Sequence, residues 1–492
     1  MENNNNQENG PKREVKIRHS LITFAILIAC MSYGIIRYDA GVHVSMFIGV
    51  CGAACVALYL GFKWEFIEEA MKKGIYNSLQ AVMILIIVGI LIGVWIVTGV
   101  VPAMIYYGLK LLSPRFFLVA ALLICSITSL ATGTSWGTMG TMGLALIGVA
   151  MGLGIPTPVA AGAIISGAYF GDKMSPLSDT TNLAPAMAGT DVFTHVKFMM
   201  KPTGVAYGIT FLFYLVYGFR FAAGGGADLS GVEAMSTGIA ENFNINLLLL
   251  LPPVIVIVAI ACKIPAIPGI TLGAVSAAIL GLLIQPGVDF GDLLTCGYAG
   301  FTANTGDEAV DSLLTSGGIS NMLYSVSLTI IAMMFGGIME ATGLLQVLVS
   351  KLVKLAKKPA SLVLTTELTC LLSNIVMPEQ YISIVVPGRM YADTYKEKGL
   401  HPKTLSNALE SSGTVTSALV PWNTCGAYIF SVLGVHTIKY LPYCTFNLIM
   451  PIVTVVMAYM GYTVADKYGF SLTRRAQRKE AELREKGELE EV

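Results

Sequence analysis

Long stretches of this chain run almost without a charged residue: Leu21–Ile36, Val44–Leu60, Ala81–Val97, Phe116–Leu130, Asn246–Ala261, Ile264–Ile284 and Met450–Val464. About 20 apolar residues cross a bilayer as a helix. In hydrocarbon only helices and closed barrels satisfy the backbone. These runs are too continuous for barrel strands, which alternate apolar and polar residues. Composition agrees. Charged residues are 13% of the 492 and hydrophobic residues 54%, with a mean hydropathy of +0.69; a soluble domain carries about 25% charged residues. The sequence therefore predicts an all-α polytopic membrane protein with roughly ten to thirteen hydrophobic segments, some broken or re-entrant.

The net charge is zero, which argues against a nucleic-acid partner; the lipid bilayer is the expected one. Lys12, Arg13, Lys16 and Arg18 precede the first apolar run, and Arg474, Arg475, Arg478 and Lys479 follow the last. By the positive-inside rule both termini lie in the cytoplasm, which requires an even number of crossings. The first run lacks a small-residue cleavage site and reads as a retained helix rather than a signal peptide. The cysteines sit mostly within apolar runs and read as packing residues. The histidines show no metal-site spacing, and His195 reads as a loop or interface residue, with a proton-relay role as the alternative.

The chain repeats itself. Gly74-Ile-Tyr-Asn-Ser-Leu79 resembles Gly318-Ile-Ser-Asn-Met-Leu323, an offset of 244. At that offset Gly93 meets Gly337 and Thr98-Gly99 meets Thr342-Gly343. Further on the offset becomes 242, where Gly171 meets Gly413, Ser175 meets Ser417 and Lys197 meets Lys439. We expect an N-terminal cytoplasmic tail (1–19), a first transmembrane repeat (20–221), a polar glycine-rich linker (222–244), a second repeat (245–466) and a charged cytoplasmic tail (467–492). Duplicated halves of odd span number have inverted topology, and two odd halves sum to an even total.

In each half two apolar runs are interrupted by polar and helix-breaking residues. These are Thr132–Thr138 and Gly171–Asn182 in the first, and Ser373–Gln380 and Glu410–Thr424 in the second. Paired interruptions of this kind point to a transporter's binding site. A helix broken at mid-depth leaves free N–H groups at one end and free C=O groups at the other. Side-chain oxygens complete the shell of a dehydrated cation, and Asp179-Thr-Thr-Asn182 supplies four in succession.

Ionisable residues within a membrane are functional candidates by default; here they are Asp172, Asp179, Glu340, Glu367, Glu379 and Glu410. Desolvation disfavours a charged carboxylate. Such a group holds a proton or a cation, and competition between the two is sufficient for exchange. Gly171 and Pro176 predict that Asp172 and Asp179 share a loop. Blander readings stand beside these. Asp172-Lys173 fits a local ion pair at the membrane edge, and Asp179 fits a helix N-cap. Glu367 fits a pair with a basic group, and Arg389 fits either the cytoplasmic end of a segment or a clamp on a substrate carboxylate.

Gly171-Asp-Lys-Met-Ser-Pro-Leu-Ser-Asp-Thr-Thr-Asn-Leu-Ala-Pro185 closely resembles the signature of the NhaC family of sodium/proton antiporters. Thr132–Thr138 and Leu419-Val-Pro-Trp-Asn-Thr-Cys-Gly426 look like that family too, and the resemblance spans nearly the whole chain. It implies secondary active transport of sodium against protons by alternating access, in a bacterial cytoplasmic membrane. Relatives include exchangers of malate with protons for lactate with sodium. No cofactor and no enzymatic activity are expected, and a homodimer is compatible. Carried over by position, Thr134, Ser135, Asp172, Ser175, Asp179, Thr180, Thr181 and Asn182 would form the cation and substrate site, with sodium on Asp179 and Asn182. Glu379, Gln380, Thr414 and Asn423 would be the second half's counterparts. Asp179 aligns with Pro421, so a second cation site should be weaker or absent. An enzyme or a channel is the competing class, but no nucleophile elbow, zinc spacing or phosphate loop is present in the sequence.

Overall fold

The computed structural model describes residues 13–38, 42–223, 229–305, 310–311, 314–356 and 358–485. Expectations for 1–12, 224–228 and 486–492 lie outside the described residues. In chain order the main helices are α1 (Ile17–Tyr38), α2 (Val42–Leu60), α3 (Trp64–Asn77), α4 (Leu79–Val97), α5 (Val100–Leu111) and α6 (Phe117–Thr132). Then come α7 (Leu144–Gly152), α8 (Thr157–Met174), α9 (Asp179–Ala188), α10 (Val192–Ala223) and α11 (Leu229–Asn242). The second half holds α12 (Leu251–Ala261), α13 (Ala266–Ile284), α14 (Phe290–Ala299), α15 (Gly318–Ala341), α16 (Leu344–Leu355) and α17 (Pro359–Val376). It ends with α18 (Ile382–Glu397), α19 (Pro402–Leu409), α20 (Thr424–Leu433), α21 (Thr445–Tyr459) and α22 (Arg474–Glu485). Strand-type pairing among the described residues is confined to isolated bridges such as Phe301 to Ser316 and Leu400 to Asp466.

Seven described helices are long and apolar enough to span a membrane, two further pairs qualify as bent spans, and α5, α6 and α20 are shorter apolar helices. Together they fall within the expected range. Large apolar side chains cover the outside, among them Leu21, Val44, Val205, Val275, Leu283 and Val456. A soluble helix turns its polar face outward; these faces suit lipid. The chain is a multi-pass α-helical membrane protein.

Residues 222–244 are less of a free linker than their composition suggests. They include α11, whose Met235 and Ile239 are buried in the core along with Phe243. The chain then bends by 104° into the Leu247–Ala261 segment.

Two glycine contacts have a symmetric relation. Gly74 on α3 packs against the backbone of Gly337 and Met333 on α15, and a Cβ on either glycine would collide with the other helix. Gly93 on α4 packs in the same way against Gly318 at the start of α15 and Cys296 on α14. The sequence offset of 244 carries Gly74 to Gly318 and Gly93 to Gly337. It therefore exchanges one contact for the other, as a two-fold axis between repeats does.

The described residues form two apolar cores. One is built from α4–α8, α10–α15, α20 and α21, with Tyr169, Val415, Ala418 and Tyr428. The other is built from α1, α2, α15, α17, α18 and α19, with Ala184, Cys370, Ile384 and Leu409. Along the chain, polar residues 172–181 and 410–414 fall between members of the first core and members of the second. The polar site occupies the seam.

Candidate functional site

All four expected interruptions are breaks. α6 stops at Gly133, whose φ of +69° suits a residue without a side chain, and a Cβ there would meet the Leu177 backbone. Thr134 caps the short helix that follows, accepting from Gly137 N–H at 3.2 Å. α8 ends at Met174, and Ser178 caps α9 by accepting from Thr181 N–H at 3.4 Å. In the second half α17 stops at Val376. α19 passes into a π-turn, Glu410–Thr414, and Asn423 caps α20 through Cys425 N–H at 3.0 Å. A second π-turn, Met139–Gly143, precedes α7. π-turns cluster at functional sites because they leave backbone groups unpaired.

Asp172 sits where two breaks of the first half meet. It is 5% exposed. One carboxylate oxygen accepts from Ser135 Oγ at 2.6 Å and Ser135 N–H at 3.2 Å, the other from Ser178 Oγ at 2.5 Å. Gly171 and Asp172 belong to the last turns of α8, and Asp179 is the first residue of α9. The expected shared loop is thus replaced by two helix ends facing each other, with the turn confined to Ser175–Ser178. Ser178, not Asp179, is the N-cap. Ser175 Oγ ties the turn to Leu130 O at 2.8 Å, and Thr181 Oγ1 ties α9 to the carbonyls of Asp172 and Lys173, both at 3.1 Å.

Asp179 is exposed and accepts from Tyr381 OH at 3.4 Å. Asn182 is exposed as well; its amide braces the turn by donating to Pro176 O at 2.8 Å and Ser178 O at 2.7 Å. These two residues lie at the mouth, with Asp172 behind them. The Asp172–Lys173 ion pair that the sequence allows as an alternative does not form. Lys173 is fully buried and donates to Ser411 Oγ at 3.1 Å, across the seam on the π-turn of the second half.

Other contacts join the halves. Thr180 Oγ1 donates to Glu410 Oε1 at 3.2 Å. Trp136 stacks on Tyr428 with ring centroids 4.3 Å apart, and Tyr428 OH donates to Trp136 O at 2.6 Å. Glu379 is buried and caps the start of α18, accepting from Ile382 N–H at 3.0 Å. Gln380 Oε1 accepts from Cys425 Sγ at 2.9 Å, and Asn423 reaches Asn374 at 3.2 Å. Trp422 braces the same place by donating to Ile375 O at 2.8 Å. These second-half residues hold one break to the other. Thr414 is buried on the π-turn. His195 is an interface residue rather than a loop residue: buried on α10, it bonds Ser406 Oγ at 2.9 Å. Arg389 is exposed on α18, away from the contacts described here.

Sequence reasoning passed over Ser178 and assigned no site role to Lys173; Glu410 was a candidate only as an ionisable group within the membrane. The signal for Ser178 was its place immediately before Asp-Thr-Thr, where an N-cap belongs. Lys173 carried no signal beyond being a lysine in an apolar context. The described residues hold no group of three or more His, Cys, Asp or Glu side chains suited to a metal ion. The oxygens here are hydroxyl, carboxyl and carbonyl, the donor set of a hard cation.

Residues 14–168 and 167–462 match the Na+/H+ antiporter family. The chain belongs to the Na+/H+ antiporter family. Among similar members, the Malate-2H(+)/Na(+)-lactate antiporter of Bacillus subtilis (strain 168) is 39% identical over 90% of this chain and 94% of its own length. The Na(+)/H(+) antiporter NhaC of Alkalihalophilus pseudofirmus is 34% identical over 94% of this chain and 100% of its own. The arginine/ornithine antiporter ArcD of Halobacterium salinarum is 34% identical over 93% and 94%. Family membership fixes the class of protein; the names of its members differ in cargo.

Proposed function

We propose that this antiporter exchanges sodium for protons, and that Asp172 is where the two compete. The observation that carries the reading is the buried Asp172 carboxylate, held by Ser135 and Ser178 between two helix ends and approached past exposed Asp179. An ionised carboxylate taken from water is stable only with a counter-charge or a proton. A dehydrated sodium ion beside Asp172 finds the oxygens of Ser135 and Ser178 and the free carbonyls that end α8. When sodium leaves, a proton takes its place.

Hydrogen bonding extends the site. Asp172 meets Ser178, Ser178 meets Thr180 at 3.1 Å, and Thr180 meets Glu410. Two hydroxyl hydrogens serve these three contacts. All three are hydrogen bonds at once when one of the two carboxyls brings a third hydrogen. The row then carries one proton, seated on Asp172 or on Glu410, and shifting the two hydroxyls moves it between halves.

The crossed glycine contacts support two repeats related by a two-fold axis, the arrangement on which alternating access operates. The basic segments flanking the apolar runs support cytoplasmic termini in a bacterial cell membrane. An organic-acid exchange is the second reading, favoured by the 39% identical relative and by the buried Lys173 ammonium. The side chains favour the first: Asp172, Glu410 and Glu367 are buried carboxyls that can give up a proton to a cation, while the Lys173 ammonium is already engaged by Ser411.

The test is purified protein in proteoliposomes loaded with a pH dye. An inward sodium gradient should drive proton efflux, potassium should not, and D172N should abolish the signal. Uptake of labelled malate or lactate on the sodium gradient, without proton efflux on sodium alone, would replace the first reading by the second.

A further inference from the structure

Glu367 has no role in the site as described. It lies on α17, 3% exposed, and neither of its carboxyl oxygens has a hydrogen-bond partner. The nearby π-turn touches it through the backbone, Ser412 Oγ donating to Glu367 O at 2.8 Å. Glu410 Oε2 is likewise unpartnered. Lys173 is fully buried and within electrostatic reach of both carboxyls, yet no ion pair joins it to either among the described residues. A buried carboxyl with no donor is costly when ionised and far less so when it carries its own hydrogen.

Among the described residues Glu367 acts on Lys173 of α8, Tyr395 of α18 and Cys370 of its own helix, and the first and last of these also feel Glu410 of the π-turn. Tyr391 neighbours Cys370 and Tyr395, and Lys403 at the start of α19 is engaged by Gly469 O at 2.7 Å. Tyr391 and Tyr395 are engaged by Thr369 and Thr366, at 2.9 and 3.0 Å. Lys351 on α16 and Tyr459 on α21 are exposed, turned out of the seam. Among the described residues Lys173 is therefore the cation that an ionised Glu367 would meet.

We infer that Glu367 is a proton carrier of the exchange, releasing its hydrogen when sodium enters and pairing then with the Lys173 ammonium. This rests on the sodium/proton reading above. The buried charge balances at both ends of the step. Before sodium, the Asp172–Glu410 row with its single proton has charge −1, Lys173 has +1 and Glu367–COOH is neutral. After sodium, the cation adds +1, the row proton lies on Glu410, and Glu367 has lost H+ to water and holds −1. With Glu410 neutral, Lys173 turns to Glu367. The seam is uncharged throughout, as burial in low dielectric favours. One sodium bound releases one proton.

The experiment measures sodium binding and proton release together. Purified wild type and E367Q in weak buffer receive sodium, with bound sodium counted by a radiolabel and released protons by an indicator dye. Wild type should release about one proton per sodium. E367Q keeps the shape and the neutral state, so it should bind sodium and release none. In the infrared difference spectrum, the band of a protonated carboxyl lost from wild type on sodium addition should be absent from E367Q. E367D, with the carboxyl retained one methylene shorter, should recover part of both signals. Sodium binding with undiminished proton release in E367Q, or an unchanged carboxyl band there, overturns the assignment. If E367Q does not fold, a wild type whose protonated-carboxyl absorbance does not fall on sodium addition overturns it equally. Wild type that binds no sodium sinks the exchange reading itself, and this assignment with it.

Discussion

The Thr180 hydroxyl donates to Glu410 Oε1 at 3.2 Å, bonding the broken segment of the first half to the π-turn of the second. Through Ser178 the same row reaches Asp172. The two carboxyls lie 238 residues apart in sequence, yet two hydroxyls connect them. A substitution in that row should therefore be felt at both ends. Thr180→Val keeps the shape and removes the hydroxyl. Leaving Glu410 Oε1 without its donor costs roughly 1–3 kcal/mol. Sodium binding at Asp172 should survive, while the ratio of protons to sodium moved falls below that of wild type. Paired flux measurements in proteoliposomes check this; an unchanged ratio removes the row from the mechanism.

Asp179 and Asp172 should separate by the size of their effects. Asp179 is exposed at the mouth and acts on an arriving cation through water, worth about 1 kcal/mol at contact and less in salt. D179N should weaken apparent sodium affinity by about fivefold or less, with the effect shrinking as ionic strength rises. D172N should abolish transport. Initial rates against sodium concentration at two salt levels distinguish the pair.

The crossed glycines should be intolerant of a methyl group. Gly74→Ala and Gly337→Ala each drive a Cβ into the facing backbone. Helices held at backbone contact must then move apart, at about 1–3 kcal/mol each. Because the same crossing carries both residues, the double substitution should cost less than the sum of the singles. Thermal melting in detergent provides the measurement. Gly208→Ala, where the added atom meets open space, is the control and should be neutral.

His401 should make stability depend on pH outside the membrane core. It caps α19, accepting from Lys403 N–H on Nδ1 at 3.2 Å. Burial first, and the Lys403 ammonium second, hold its pKa below the usual 6.5. A depressed histidine pKa means that the unfolded chain binds the proton more readily. Its contribution is full above pH 6.5 and is lost as pH falls toward the folded value. Melting temperature should therefore drop on the acid side. H401N, which keeps an acceptor for the cap and cannot titrate, should flatten that part of the curve. A wild-type melting temperature that does not fall below pH 6.5, or an H401N curve as steep as wild type, contradicts this.

Much of the architecture was legible in the sequence because the bilayer imposes it. Apolar runs such as Val44–Leu60 and Ile264–Ile284 needed no tertiary information to be recognised as spans. The four interruptions were legible too: Gly133, Pro176, Pro378 and Pro421 disfavour a continuous helix, and each stands among polar residues within an apolar run. Less legible was which side of each break a residue would fall on. Gly171 did not end its helix, since it is packed against α6 with no room for a Cβ. Asp172 thus remained helical and turned inward, while Asp179 opened the next helix facing out. Lys173 was unreadable, because its partner Ser411 belongs to the other half and no local spacing announces a contact across 238 positions.

Equilibrium sodium binding by wild type and D172N, measured across pH, tests the central claim most directly. If a proton and a sodium ion contend for Asp172 and its coupled row, wild-type affinity weakens by about tenfold for each pH unit on the acid side, and D172N binds no sodium at any pH. A wild-type affinity that is flat with pH, or a D172N protein that binds sodium as wild type does, would contradict the account.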